Sequence, residues 1–210
     1  MSHQSKPIYE TIEWTDLWIS STDQIGPRVL FVGDSITRAY FGPAERALLD
    51  ETGGGGPPWL SSRFTTSLSV CHPVFWTQLR SQLTAFPVDL VHFNHGLHGW
   101  DYTEDEYLAG YREVVDKITS EFSAVRVVLA LTTPYRVAGD LLQFAPRNER
   151  VVERNRLVVN LAKELGLPVN DLYTWLLPHA EWWGQDGVHL NENGNAALGA
   201  LAAQAVRKFG

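Results

Sequence analysis

Apolar positions along the chain follow two rhythms. Short continuous runs appear at residues 28–33 (RVLFVG), 89–96 (DLVHFNHG) and 126–132 (RVVLALT, stopped by Pro134), with a shorter one at 167–172 after Gly166. Runs of this kind predict strands buried on both faces. Residues 64–70 (FTTSLSV) are a weaker strand candidate, second in chain order. Between the runs, apolar residues recur three and four apart, which predicts helices with one buried face. Tyr107, Tyr111, Val114, Val115, Ile118 and Phe122 form one such face. Val151, Asn155, Val158, Val159, Ala162 and Leu165 form another, with Gly166 as its stop. A last helix starts near Glu192 and buries Leu198, Leu201, Ala202, Ala205, Val206 and Phe209; residues 73–83 are also expected to be helical. Strands alternating with helices imply an α/β fold: a parallel sheet of about five strands, right-handed crossovers and helices on both faces.

The 210 residues suffice for one well-buried core, so residues 1–210 are read as a single domain. Residues 1–27 are read as an N-terminal extension packing on it, with residues 9–19 lying over the sheet. The stretch 53–58 (GGGGPP) is read as a surface loop. A phosphate loop is rejected there because no Lys-Ser/Thr follows. The net charge of −7 argues against nucleic acid and anionic membrane as partners. One cysteine, Cys71, excludes an intrachain disulfide and a cysteine-based zinc site. No secretory leader and no span of roughly 20 apolar residues is visible, which places the expectation in the cytoplasm.

In an open α/β sheet, ligands bind beyond the carboxyl ends of the strands. Gly33-Asp34-Ser35-Ile36-Thr37 follows the first run and Gly96-Leu97-His98-Gly99-Trp100 follows the third. Asp186-Gly187-Val188-His189 precedes the last helix. A hydroxyl becomes a nucleophile when a base within hydrogen-bond reach takes its proton. Histidine suits that task near neutral pH, and a carboxylate on its far nitrogen fixes the tautomer. Asp186 and His189, three apart in a Gly-containing turn, can pair locally and then need one distant partner, Ser35. Asp34 is read as a hydrogen-bond acceptor for backbone beside the nucleophile.

At these residues the chain resembles the SGNH (GDSL-type) hydrolase family. GDSIT at Gly33–Thr37 matches that family's first block and DGVH at Asp186–His189 its last, in an order that covers nearly the whole chain. The resemblance implies a three-layer α/β/α, flavodoxin-like fold, a catalytic Ser35–His189–Asp186 triad, and neither metal nor other cofactor. It also implies an oxyanion hole of three donors: the N–H of Ser35, a backbone N–H from the second block, and an Asn side chain from the third. The third block, usually Gly-x-Asn-Asp, falls on Gly96-Leu97-His98-Gly99, so His98 stands at the Asn position; a neutral imidazole could donate one N–H. Asn94 is the alternative donor. The second block lacks its glycine, and residues 67–72 offer a backbone N–H or the hydroxyl of Ser67 or Ser69. NHGLHGW, TTPYR and PRNERVVERN look like a bacterial subfamily of small sugar-type esterases.

His92, His95 and His98 are spaced like metal ligands, but residues three apart in a strand point to opposite faces, so His92 is read as a core histidine. Trp100 and Trp183, with Trp182, are candidate stacking surfaces for a sugar ring. Arg136, after a strand end, is a candidate substrate contact. Arg147, Arg150 and Arg154 are read as a salt-bridged face with Glu149 and Glu153. The expected function is hydrolysis of short acyl esters, acetyl foremost, on a small-molecule or oligosaccharide alcohol. The alternatives are a lipase or thioesterase of longer chains and a non-catalytic carbohydrate-binding protein. A homo-oligomer is compatible with the resemblance.

Overall fold

The computed structural model describes residues 7–50 and 58–210. Apart from Pro58, the glycine-rich stretch read as a surface loop lies outside the described residues, as do residues 1–6.

The elements run β1 (Thr15–Ile19), β2 (Arg28–Gly33), α1 (Ser35–Leu49), β3 (Leu60–Thr66), α2 (Pro73–Ala85), β4 (Leu90–Asn94) and α3 (Glu104–Glu121). Then follow β5 (Arg126–Ala130), β6 (Arg136–Val137), β7 (Asp140–Phe144), α4 (Asn148–Leu165), β8 (Val169–Asn170), α5 (Leu172–Leu176), a 3-10 turn (Ala180–Trp182) and α6 (Glu192–Phe209). The main sheet has the order β1-β3-β2-β4-β5-β8. Five of its strands are parallel, and β1 joins the edge antiparallel to β3.

The continuous apolar runs are buried on both faces because helices cover both. Along β2, Val29 and Phe31 pack with Tyr40 and Leu48 of α1 and Leu198 and Val206 of α6. Leu30 and Val32 point the other way, into a cluster with Phe75 and Leu79 of α2, Tyr111 and Val115 of α3, and Val158 of α4. The period of two in a strand thus divides one run between two cores. The helix predicted from 148 ends as expected at Gly166, which caps it in the left-handed region at φ 67°. Helix α6 packs closely on α1, where a Cβ on Gly199 would sit 2.7 Å from the Ala44 nitrogen.

Three expectations need correction, and one element is additional to them. The second strand is Leu60–Thr66 and not 64–70; several of its buried hydroxyls have partners the pattern cannot reveal, Ser61 bonding Glu45 and Ser62 the Val29 carbonyl. The N-terminal segment does not lie over the sheet but extends its edge as β1. The last strand shrinks to Val169–Asn170, because Asp171 caps α5 through the Thr174 N–H. The β6–β7 hairpin was not anticipated.

His92 sits inside the sheet, its Nε2 taking a hydrogen bond of 3.0 Å from the Asn170 amide, while its Nδ1 lies 3.5 Å from the Tyr40 hydroxyl. Burial pushes both His92 and His95 down to about 4. In the unfolded chain they regain the ordinary value near 6.5. Above that value neither state binds the extra protons; between 6.5 and 4 only the unfolded chain does, so stability falls as pH falls through that window. At pH 5 each histidine is expected to cost about 2 kcal/mol relative to pH 7. A urea midpoint that stays level from pH 7 to 5 would contradict this.

Candidate active site

Gly33 ends β2 where the backbone of β4 and the first turn of α1 converge. A Cβ there would lie 2.3 Å from the Asn94 carbonyl oxygen and 2.0 Å from the Thr37 hydroxyl, so only glycine admits the approach. Asp34, fully buried, caps α1 by accepting the Ile36 N–H at 3.0 Å and reaches the Leu97 N–H at 3.4 Å with its other oxygen. Ser35 is thereby the first helical residue. Its N–H has no acceptor within the helix and stands at the positive end of the helix dipole, a place that favours developing negative charge.

The base arrives from the far end of the chain. Gly187, at φ 72°, lets the 184–189 loop turn, and its carbonyl takes the Arg136 N–H at 2.8 Å. One oxygen of Asp186 accepts the N–H groups of Val188 and His189, both at 2.9 Å. The other meets His189 Nδ1 at 2.7 Å. His189 Nε2 lies 2.8 Å from Ser35 Oγ. Burial works against ionising Asp186, but the His189 ring and the two backbone N–H groups outweigh it and hold the carboxyl below its usual range. An ionised carboxylate only accepts, so Nδ1 carries the proton and Nε2 is left to accept from the serine hydroxyl. The arrangement can take a proton from Ser35 and hold the resulting imidazolium.

His98 lies in the loop after β4. Its Nδ1 is 3.0 Å from each oxygen of Glu10, a carboxylate in the N-terminal segment that also accepts the Gly99 N–H at 3.2 Å. Asn94, the alternative donor, is buried and gives one amide N–H to the Leu131 carbonyl at 3.1 Å, which ties it to the neighbouring strand's end. In the second-block loop the N–H groups of Ser67, Leu68, Cys71 and His72 are all bonded within the fold. The Ser67 hydroxyl is held by Glu13 at 2.6 Å, and the Ser69 hydroxyl accepts the Cys71 N–H at 3.2 Å.

Of the three substrate-contact candidates, Arg136 and Trp183 are buried and Trp100 is half-buried. Arg136 is turned inward: its guanidinium donates to the carbonyls of Leu141 and Leu177, both at 2.7 Å, and lies over the Trp183 ring at 4.5 Å. Its side chain ties the β6–β7 hairpin to the end of α5, and its backbone N–H ties the hairpin to the loop that carries Asp186. Trp183 is only 3% exposed and belongs to the core. Trp100 packs among the guanidinium groups of Arg147, Arg150 and Arg154 and the edge of Tyr135. Trp182 is covered by the stacked ring of His179 at 3.7 Å.

Arg154 was missed as a site residue. It pairs with neither Glu149 nor Glu153 but is buried, donating to the carbonyls of Gly96 at 2.9 Å, His98 at 2.8 Å and Gly99 at 3.0 Å. Its Nε lies 3.4 Å from Glu104. It staples the loop that presents His98. Nothing in helical spacing separates such an arginine from a solvated one.

The sequence matches the family model of the GDSL-like lipases and acylhydrolases over residues 31–197. The chain belongs to the GDSL-like lipase/acylhydrolase family. It is therefore a hydrolase acting on esters. Among curated proteins no relative matches. Solved structures share the fold at low identity. The acetyl xylan esterase AlAXEase is 17% identical with a TM-score of 0.69, over 85% of this chain and 99% of that one. Est24, a carbohydrate acetylesterase from Sinorhizobium meliloti, is 19% identical with a TM-score of 0.67, over 87% and 99%. The lipase/acylhydrolase from Enterococcus faecalis is 20% identical with a TM-score of 0.66, over 87% and 96%. These agree with the mostly parallel, helix-covered sheet of this GDSL-like chain. Among its described residues no helix is long and apolar enough to cross a membrane.

Proposed function

We propose that the protein hydrolyses short-chain carboxylic esters, acetyl esters of a sugar or oligosaccharide foremost, through an acyl-enzyme on Ser35. The observation that carries this reading is the unbroken chain Ser35 Oγ to His189 Nε2 at 2.8 Å and His189 Nδ1 to Asp186 at 2.7 Å. Ser35 Oγ attacks the ester carbonyl carbon as its proton passes to His189 Nε2. The tetrahedral oxyanion is held by the Ser35 N–H and by His98. The bond to the alcohol oxygen breaks as His189 returns the proton to it. Water then attacks the acyl-serine, giving its proton to His189, and the acid leaves as Ser35 recovers its hydrogen.

The preference for a short acyl group and a bulky alcohol is supported by how open the site is. The side chains of His189 and Asp186 are 48% and 53% exposed. Each methylene of a long acyl chain would gain about 0.8 kcal/mol only if buried, and an open site offers little burial. Two of the similar structures described above carry acetyl xylan esterase and carbohydrate acetylesterase as names, which points the same way.

The test is a series of p-nitrophenyl acetate, butyrate and octanoate together with acetylated xylo-oligosaccharides, using the wild type and Ser35→Ala in parallel. Turnover is expected to be fastest for acetyl, to fall toward octanoate, and to vanish in the variant. Faster octanoate turnover would replace the proposal with a lipase or thioesterase reading. Equal rates in both proteins would leave a carbohydrate-binding protein without catalysis.

A further inference from the structure

A further carboxylate–imidazole pair joins the N-terminal segment to the loop after β4. Glu10 and His98 meet across 88 residues of sequence at 3.0 Å, as Asp186 and His189 meet within one turn. We propose that Glu10 is a positioning residue for His98, holding its ring as the doubly protonated imidazolium so that Nε2–H, and not a lone pair, is offered to the oxyanion formed at Ser35. This rests on the reading of Ser35 as nucleophile and His98 as oxyanion donor.

The argument is one of proton inventory. A carboxylate accepts and cannot donate, so Nδ1 of His98 must carry a hydrogen. In a neutral ring that leaves Nε2 bare, and a bare nitrogen would repel an oxyanion. The Nδ1 contact therefore excludes the neutral donor that the sequence allowed, and donation from Nε2 requires the second proton. All hydrogen bonds of the ring run through Nδ1, so Nε2 has no protein partner among the described residues. A charged donor also makes a hydrogen bond roughly twice as strong as a neutral one.

The surroundings favour that charge. From the N-terminal segment come Glu10 and Glu13, and from the β2–α1 junction comes Asp34, each of which stabilises the cation. Against it stand Arg154, bonded to the His98 carbonyl, and the neighbouring ring of His95, itself pushed down to about 4. Arg38 lies one ring further off, over Trp14, whose indole meets His98 edge-on at 6.4 Å. Burial opposes the charge, but the Glu10 hydrogen bond and the three carboxylates prevail and hold His98 above its ordinary value. Glu10 is held below the ordinary carboxylate value by the same pairing, against its own burial.

The consequence is a basic limb in the pH profile, because deprotonation of His98 removes the donor. The experiment measures kcat and KM for p-nitrophenyl acetate against pH in the wild type, Glu10→Gln and His98→Asn, with Ser35→Ala as the blank. In Glu10→Gln, which keeps an acceptor but not its charge, the basic limb of kcat is expected to move about one unit toward acid, the usual reach of one adjacent charge. KM should stay near its wild-type value. His98→Asn, a neutral amide donor, should lose the limb. A titration of the His98 ring nitrogens by 15N NMR reads the charge without turnover: a cation at pH 7 in the wild type, and a lower midpoint in Glu10→Gln. The same basic limb in all three proteins, or a ring already neutral at pH 7, would overturn the proposal. If wild-type hydrolysis does not exceed the Ser35→Ala blank, the esterase reading falls, and the NMR titration still decides whether Glu10 charges His98.

Discussion

Replacing His189 by alanine is expected to lower kcat for acetyl ester hydrolysis by on the order of 10⁵- to 10⁶-fold while leaving the fold intact. The ring makes one contact to Ser35 and one to Asp186, and it is half exposed, so little packing is lost. Exposed substitutions of this kind usually change stability by within about 0.5 kcal/mol. Asp186→Asn tests the tautomer argument more sharply. An amide group facing Nδ1 would favour the ring with its proton on Nε2, which then has nothing with which to accept from Ser35. A loss of about 10⁴-fold in kcat is expected, with a smaller change in KM. Both follow from steady-state kinetics alongside a melting curve. A His189→Ala protein with more than a tenth of wild-type activity would remove the base from the mechanism.

The second large effect is expected far from the reacting atoms. Arg154→Leu should destabilise the protein by about 4 kcal/mol, the range found when one partner of a buried charged network is removed. The leucine fills part of the volume but leaves the Gly96, His98 and Gly99 carbonyls without their donor, and Trp100 and Tyr107 without the guanidinium 4.5 Å from each ring. In a domain of this size that corresponds to a fall in Tm of roughly 10 °C. Arg154→Lys should recover only part of it, since one ammonium cannot reproduce a planar fork spread over three carbonyls. A fall in Tm of less than about 2 °C for the leucine variant would show that the loop holds itself. Surviving protein should also lose kcat, because the same loop carries His98.

How much of this was legible in the sequence depends on how local each contact is. Arg28–Gly33 announces itself because a strand buried on both faces has no polar face to interrupt the run. Asp186 and His189 are readable as a pair because three residues and one glycine turn close their contact. The strand Leu60–Thr66 is hidden for the opposite reason. Its serines and threonines are buried, but the hydroxyls of Ser61, Ser62 and Thr66 bond Glu45, the Val29 carbonyl and the Trp14 carbonyl, and none of these lies nearby in sequence. The half-exposed β1 carries no apolar alternation to announce it. Arg136 and Trp183 were placed at the site by their nearness to strand ends and to the Asp186 turn. Such nearness does not reveal whether a side chain points outward or, as here, into the core. Glu10 and Arg154 act on the loop after β4 from 88 residues before His98 and 56 after it, and only tertiary structure shows the meeting.

Ser35 and His189 are 154 residues apart, and the helix that follows the histidine packs on the helix that begins with the serine. On the ribosome, the serine-bearing turn would emerge 154 residues ahead of the histidine. A nascent chain would thus carry a hydroxyl with no base, chemically inert toward the esters around it, and would gain its reactivity only as the closing helix docks. Docking of that helix would close the core and, under the proposed mechanism, bring the base to the nucleophile in one event.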